Sequence, residues 1–371
     1  MVAIDSLFDG GNIIPLSLED PSDIRVEIRK DAQSDFYQWF SFRLSHDAGS
    51  AIRVSITNAG GAAYVRGWEG YSAVYSVDGQ FWQRMPTQYK DGVLTMTLVM
   101  PAPLVHIAYF APYPLTRHRD MISQAISTGR FAYRDLGKTV DGRAMDYLRF
   151  GSGPKQVWLY ARQHPGETMA QWWMEGVLDR LGNPEDPITR TLATQATLHL
   201  VPNMNPDGSF RGHLRTNAVG VNLNRVWDAP TQERSPEVFH VKAAMEESGV
   251  DIALDVHGDE ALPYNFIAGF EGIPNLTPDQ SEGLQRYKSL LAQISPDFQT
   301  KVGYPAAPAG KANLSMSTNY VAHRFGAVAM TLEMPFKDTI DTPHEDTGWS
   351  PHRSALLGRD CLQAIALFLD A

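Results

Sequence analysis

The sequence predicts an α/β fold, a mostly parallel or mixed sheet flanked by helices, preceded by a smaller antiparallel β-sandwich. Three observations predict it. From about residue 23 to 112 short β-forming segments alternate with a two-residue period. After Pro112 strand-like runs alternate with helix-length segments, the pattern of a sheet covered on both faces. Histidines and glutamates able to carry chemistry then stand at the ends of several of the later strands, where sites in such sheets gather. We set the boundary between a sandwich domain, 1–115, and an α/β domain, 116–371.

In the front part, residues 24–28, 39–44, 52–56 and 94–98 alternate apolar and polar side chains, with turn signals such as Asn58-Ala59-Gly60-Gly61 and Asp78-Gly79 between them. Trp39, Tyr64, Trp68, Tyr71 and Trp82 could form a carbohydrate or peptide platform; aromatic core and inter-domain packing is the expectation. A helix is expected at 117–127, a strand at 156–162, a helix at 168–181 and a strand at 196–201. The next helix, 235–248, takes Ser235 as cap and Pro236 at its first position. Residues 251–256 read as a buried strand, 278–294 as a helix, 317–325 as a helix stopped by Gly326, and 328–332 as a strand.

The bulk properties narrow the function. The chain has 371 residues, 43% of them hydrophobic, which suits two packed domains. No apolar run approaches the roughly 20 residues needed to cross a bilayer, so no membrane insertion is expected. The N-terminus lacks a basic segment followed by a long apolar stretch, and a cytoplasmic location is the default expectation. A formal charge of −10 argues against a nucleic-acid surface. The one cysteine, Cys361, excludes an intrachain disulfide and is read as core.

His164-Pro165-Gly166-Glu167, between an apolar run and a helix-like segment, reads as half a zinc site, because imidazole and carboxylate three residues apart can meet at one Zn²⁺ ion. His257 follows the strand 251–256 and supplies a third ligand, leaving a fourth position for water. Glu333 follows the strand 328–332 and would be the general base beside that water. The other histidines, His46, His106, His118, His199, His213, His240, His323, His344 and His352, lack such company and are read as surface or core. Between the ligands runs VPNMNPDGSFRGHLRTNAVGVNLNRVW, dense in Asn, Gly and Pro and expected to be irregular. Its Arg215 and Asn224-Arg225 could hold a carboxylate; the competing reading leaves these arginines solvated or bridged to Asp207 and Asp228.

The succession HPGET, PNMNPDG, an arginine before GVNLNR, DVHGD and TLEMPF resembles the zinc carboxypeptidases, most closely their cytosolic branch. Gln38-Trp39-Phe40, the Trp68-centred turn, Trp82 and Tyr109-Phe110-Ala111-Pro112-Tyr113 look like that branch's markers, so the resemblance covers nearly the whole chain. It implies one zinc ion on His164, Glu167 and His257, with Glu333 as the catalytic glutamate. It further implies Asn224 and Arg225 at the terminal carboxylate of a peptide or protein substrate, and Arg215 on the scissile carbonyl and its oxyanion. Two positions depart from the family pattern. Asn222 stands where many relatives have an aspartate supporting a zinc-bound histidine, and neither Tyr304 nor Tyr320 is assignable as the family's substrate tyrosine.

The cytosolic branch is associated with removal of acidic residues, chiefly glutamate. By region, Lys301, Lys311, Arg162 and Arg324 are candidates for a basic group in that pocket. An alternative is a zinc amidohydrolase deacylating small N-acyl amino acids, which uses the same His, Glu, His and Glu set. A zinc-containing binding module without turnover is a third reading, and Glu333 argues against it, because a binder needs no base.

Overall fold

The computed structural model describes residues 1–370. The front part consists of two five-stranded sheets. One orders Ala3–Asp5, Ser41–Ser45, Leu104–Ala108, Val74–Ser76 and Gln83–Arg84, all antiparallel. The other orders Ile14–Ser17, Ile24–Glu27, Ala51–Ile56, Val93–Val99 and Thr87–Lys90. Its pairing of Ile24–Glu27 with Ala51–Ile56 is parallel, the one departure from the antiparallel expectation. Alternation places Ile52, Val54 and Ile56 inside with Leu94 and Met96 opposite them, while Arg53 and Thr97 face out.

The seven-stranded sheet behind it is mixed. Its centre, Ala196–Val201, Lys155–Ala161, Ile252–Asp259 and Val328–Pro335, is parallel. Phe131–Lys138, Ala144–Gly151 and Phe266–Ala268 pair antiparallel at the edges. All eight residues of Ile252–Asp259 are buried, as a central strand covered on both faces must be. The chain runs from Lys155–Ala161 to its neighbour on one side and then crosses to Ile252–Asp259 on the other. The gap between those two strands is therefore the switch point of the sheet.

The expected helices form at Leu115–Ser127, Met169–Gly182, Pro236–Ser248, Pro278–Ile294 and Ser317–Phe325. Ser235 precedes its helix but does not cap it: its hydroxyl accepts the Thr231 N–H at 2.9 Å instead. Two strands run further than expected, so His257 and Glu333 lie within Ile252–Asp259 and Val328–Pro335 rather than after them. The edge strands Phe131–Lys138 and Ala144–Gly151 escape the sequence pattern because solvent covers much of the outer one, whose middle residues are polar and exposed. The loop expected to be irregular carries a short helix, Pro206–Arg211, capped by Asn205 and ended by Gly212 at φ +67°.

Buried apolar side chains of both parts form one continuous core. Tyr109 of the front part stacks on Phe336 at 4.5 Å, three residues beyond Glu333, and Arg84 donates to the carbonyls of Thr347 and Trp349. Trp39, Trp68, Tyr71 and Trp82 are buried, in keeping with a packing role, and so is Cys361, whose thiol burial pushes up to about 12. Behind the sheet, the helices Met169–Gly182 and Pro351–Leu369 touch backbone to backbone. A Cβ on Gly176 would lie 2.0 Å from the Ala355 carbonyl oxygen, and one on Gly358 2.3 Å from that of Trp173. Gly176→Ala should force the helices apart and lower stability by about 1–3 kcal/mol. Calorimetry of the purified variant checks this; an unchanged Tm would mean that the helix pair absorbs the extra methyl.

Candidate active site

Strand ends at the switch point bring together the residues that carry chemistry. Lys155–Ala161 ends at Arg162, a non-glycine residue at φ +63°, and the chain turns through His164 to Glu167 into the helix Met169–Gly182. Arg162 is buried and wholly engaged, donating to the carbonyls of Pro165 at 2.9 Å and Tyr113 at 2.8 Å and to Gln171 Oε1 at 2.5 Å. It braces the turn and is not a pocket cation.

The donor atoms of His164, Glu167 and His257 converge. His164 Nδ1 lies 2.7 Å from Glu167 Oε1, His257 Nδ1 lies 2.8 Å from Glu167 Oε2, and the two Nδ1 atoms are 3.1 Å apart. Each ring is held from behind. Asn222 Oδ1 accepts the Asn224 N–H at 3.0 Å, so it serves His164 Nε2, 3.1 Å away, as an acceptor too, and His164 carries its proton on Nε2. His257 Nε2 stands 3.0 Å from Asp255 Oδ1, an ion-pair contact rather than a linear hydrogen bond, and a bare lone pair there would repel the carboxylate. Both rings thus turn Nδ1 toward Glu167, where a metal ion or a proton can lie among the three donor atoms. Burial, with the Arg215 charge, also takes His164 down to about 4, keeping it neutral as a ligand must be. All three residues are buried, and this N, N, O set fits Zn²⁺.

Glu333 stands beside them. Parallel register pairs His257 with Glu333 and Asp255 with Thr331, and the two-residue period puts all four on one face of the sheet. Glu333 is buried and its Oε2 has no hydrogen-bond partner among the described residues. Burial raises its carboxyl well above the usual range, against the pull of His257 and with Glu167, Asp259 and Glu260 adding to it.

The loop opposite supplies positive charge. The Arg215 guanidinium lies 5.6 Å from the Phe36 ring and 5.4 Å from the Tyr64 ring, both of the front part. Arg225 donates to the Asn224 carbonyl at 2.6 Å. Neither arginine pairs with a carboxylate among the described residues, so bridges to Asp207 and Asp228 do not form; Asp207 pairs with Arg143 at 2.8 Å. Asn224 is buried, with Oδ1 accepting the Ser317 N–H at 2.8 Å, which leaves its amide N–H groups to donate elsewhere.

The chain matches two families along most of its length. Residues 4–110 match the cytosolic carboxypeptidase N-terminal domain and residues 125–357 match zinc carboxypeptidase. The chain belongs to the zinc carboxypeptidase family. A Zymomonas mobilis protein is 51% identical over 99% of this chain and 96% of its own length. Mouse cytosolic carboxypeptidase 6 is 27% identical over 59% of this chain and 43% of its own length. The crystal structure of a metallo-carboxypeptidase from Burkholderia cenocepacia superposes with TM-score 0.98 at 42% identity, covering all of both chains. That of a Pseudomonas aeruginosa metallo-carboxypeptidase in complex with (2-guanidinoethylmercapto)succinic acid superposes with TM-score 0.96 at 42% identity over 99% of each.

This zinc-dependent metallocarboxypeptidase departs from the sequence expectation at several side chains. Asn222 does reach His164, as a neutral acceptor, whereas the carboxylate support goes to the other histidine through Asp255. Asp255 is held in turn by Gln163 Nε2 at 2.6 Å, and Gln163 Oε1 by the Trp227 indole at 2.9 Å. Spacing alone could have found Asp255, two residues before His257 on one strand. The tyrosines separate: Tyr304 donates to Asp259 Oδ2, whereas Tyr320 packs on Trp227 under the Lys242 ammonium, 4.2 Å from the ring. Arg324 pairs with Glu246 at 2.7 Å on the surface, and Lys301 and Lys311 are exposed. The front-part residues Asp31 and Phe36 give no signal in the sequence, because only folding brings them to the site.

Losing the carboxylate behind a ligating histidine costs about 10- to 100-fold in metal affinity. Asp255→Asn should therefore weaken zinc binding by that factor in competition with a chelator, and Asn222→Asp should tighten it. Equal zinc affinity in all three proteins would separate these residues from the metal.

Proposed function

We propose that His164, Glu167 and His257 hold one zinc ion and that Glu333 is the general base in hydrolysis of a C-terminal peptide bond. The observation that carries this reading is the register pairing of His257 with Glu333, a buried carboxylate with no partner at Oε2, together with two arginines, Arg215 and Arg225, whose guanidinium groups form no ion pair among the described residues. Zinc, when bound there, supplies Lewis acidity and brings the pKa of a water toward about 7. Glu333 takes the proton given up in the attack and returns it to the leaving amine. Arg215 stabilises the charge that develops on the scissile carbonyl oxygen; Asn224 and Arg225 bind the free carboxylate that makes the enzyme an exopeptidase. Tyr304, whose hydroxyl donates to Asp259 two residues beyond the ligand His257, takes the role of the substrate tyrosine.

For the side chain released we favour an acidic residue, glutamate first. Arg215 and Arg225, whose guanidinium groups form no ion pair among the described residues, give a tail with more than one carboxylate two cationic groups to meet.

Glu333→Ala should retain stoichiometric zinc by elemental analysis while kcat falls about 10²- to 10⁴-fold; cleavage at the wild-type rate would exclude Glu333 as base. Mass spectrometry of the wild-type enzyme with peptides varying only at the last two residues reads the specificity. Release of terminal Glu or Asp supports the acidic reading, while hydrolysis confined to N-acyl amino acids would replace the peptidase with an amidohydrolase.

A further inference from the structure

The front sandwich enters the active site through one buried carboxylate. Asp31 is 2% exposed and accepts four hydrogen bonds from the arginine loop: Leu214 N–H at 2.6 Å on Oδ1, then Arg215 N–H at 2.8 Å, Thr216 N–H at 2.9 Å and the Thr216 hydroxyl at 3.0 Å on Oδ2. Three successive backbone amides on one carboxylate fix the path of the chain through Arg215, because losing any of them would leave a buried donor or charge unsatisfied. The neighbouring Ala32 N–H donates to His213 Nε2 at 3.1 Å, extending the same seam.

The same loop holds the arginine side chain. Asp31 N–H donates to the Phe36 carbonyl at 2.8 Å, closing a tight turn that ties the Phe36 ring, one face of the guanidinium clamp, to the carboxylate. Gln38, fully buried, holds the other face: its Oε1 accepts the Tyr64 N–H at 2.7 Å and its Nε2 donates to the Tyr64 carbonyl at 3.2 Å. The seam continues to the metal turn, where Gly166 N–H donates to the Leu214 carbonyl at 2.9 Å. Space is tight there, since a Cβ on Gly166 would meet that oxygen at 2.9 Å. One peptide unit, Leu214, is thus gripped by Asp31 on its nitrogen and grips the His164–Glu167 turn with its oxygen.

We infer that Asp31 is a positioning residue for catalysis: it sets Arg215 against the His164–Glu167 turn, and the sandwich domain is part of the catalytic machinery through it. The inference rests on the role proposed for Arg215. A cation preorganised for the transition state adds to kcat rather than to substrate affinity, and displacement by about 1 Å can cost about 10²-fold.

The test is a double-mutant cycle on the full chain. Asp31→Asn keeps the size but sets an amide against N–H donors; kcat should fall about 10- to 100-fold with KM within about twofold and zinc content unchanged. Arg215→Ala should lose at least as much, and the double variant should be no slower than Arg215→Ala alone, because Asp31 acts only through Arg215. Additive losses in the double variant, or a wild-type kcat for Asp31→Asn while Arg215→Ala is impaired, would overturn the inference and leave the Arg215 role standing. A wild-type kcat for Arg215→Ala would instead overturn the Arg215 role, and the inference with it. Should Asp31→Asn fail to fold, Phe36→Leu, which removes one ring of the clamp and no buried charge, takes its place in the cycle with the same expected non-additivity.

Discussion

Two imidazole nitrogens and a carboxylate within about 3 Å of one another stay together only with positive charge among them, a metal ion or protons on the rings. Much of the surrounding structure answers that constraint. Asp255 and Asn222 fix the two rings from behind, Gln163 and Trp227 fix Asp255, and Gly258 N–H donates to Glu167 Oε2 at 3.1 Å. The cluster sits at the switch point, where adjacent parallel strands end together and helices do not cover the sheet.

Around this centre charges of both signs gather. Carboxylates of Glu167, Asp259, Glu260 and Glu333 crowd the sheet side, where burial raises Glu260 and Glu333 well above the usual range. The arginine loop adds positive charge, with the guanidinium groups of Arg215 and Arg225 in no ion pair among the described residues. That loop is only partly held by the catalytic domain, since Phe36 and Tyr64 flank Arg215 and Asp31 holds its backbone.

What could be read from the sequence followed short-range periodicity. The alternation through 52–56 and 94–98 and the cap signals at Pro236 and Gly326 mark real elements, because strand faces and helix ends depend on residues close along the chain. The His, Glu, His and Glu residues were legible for a related reason: each lies in or just after a strand of one parallel sheet, and parallel strands bring such positions together. The antiparallel edge hairpin and the short helix Pro206–Arg211 were not, being held by pairing and packing rather than by a strong local pattern.

The sequence by itself determined the mixed α/β architecture behind a β-sandwich and the zinc carboxypeptidase family, since each is written in periodicity or in motifs of a few residues. The tertiary structure alone decided the rest: which histidine is backed by a carboxylate, that Arg162 braces a turn, that Tyr304 bonds Asp259 while Tyr320 packs on Trp227, and that Asp31 grips the loop of Arg215 across 184 positions. Those are contacts between residues far apart in the chain. Hydrogen bonding and Coulomb forces act within a few ångströms, so only the folded chain determines which groups they join.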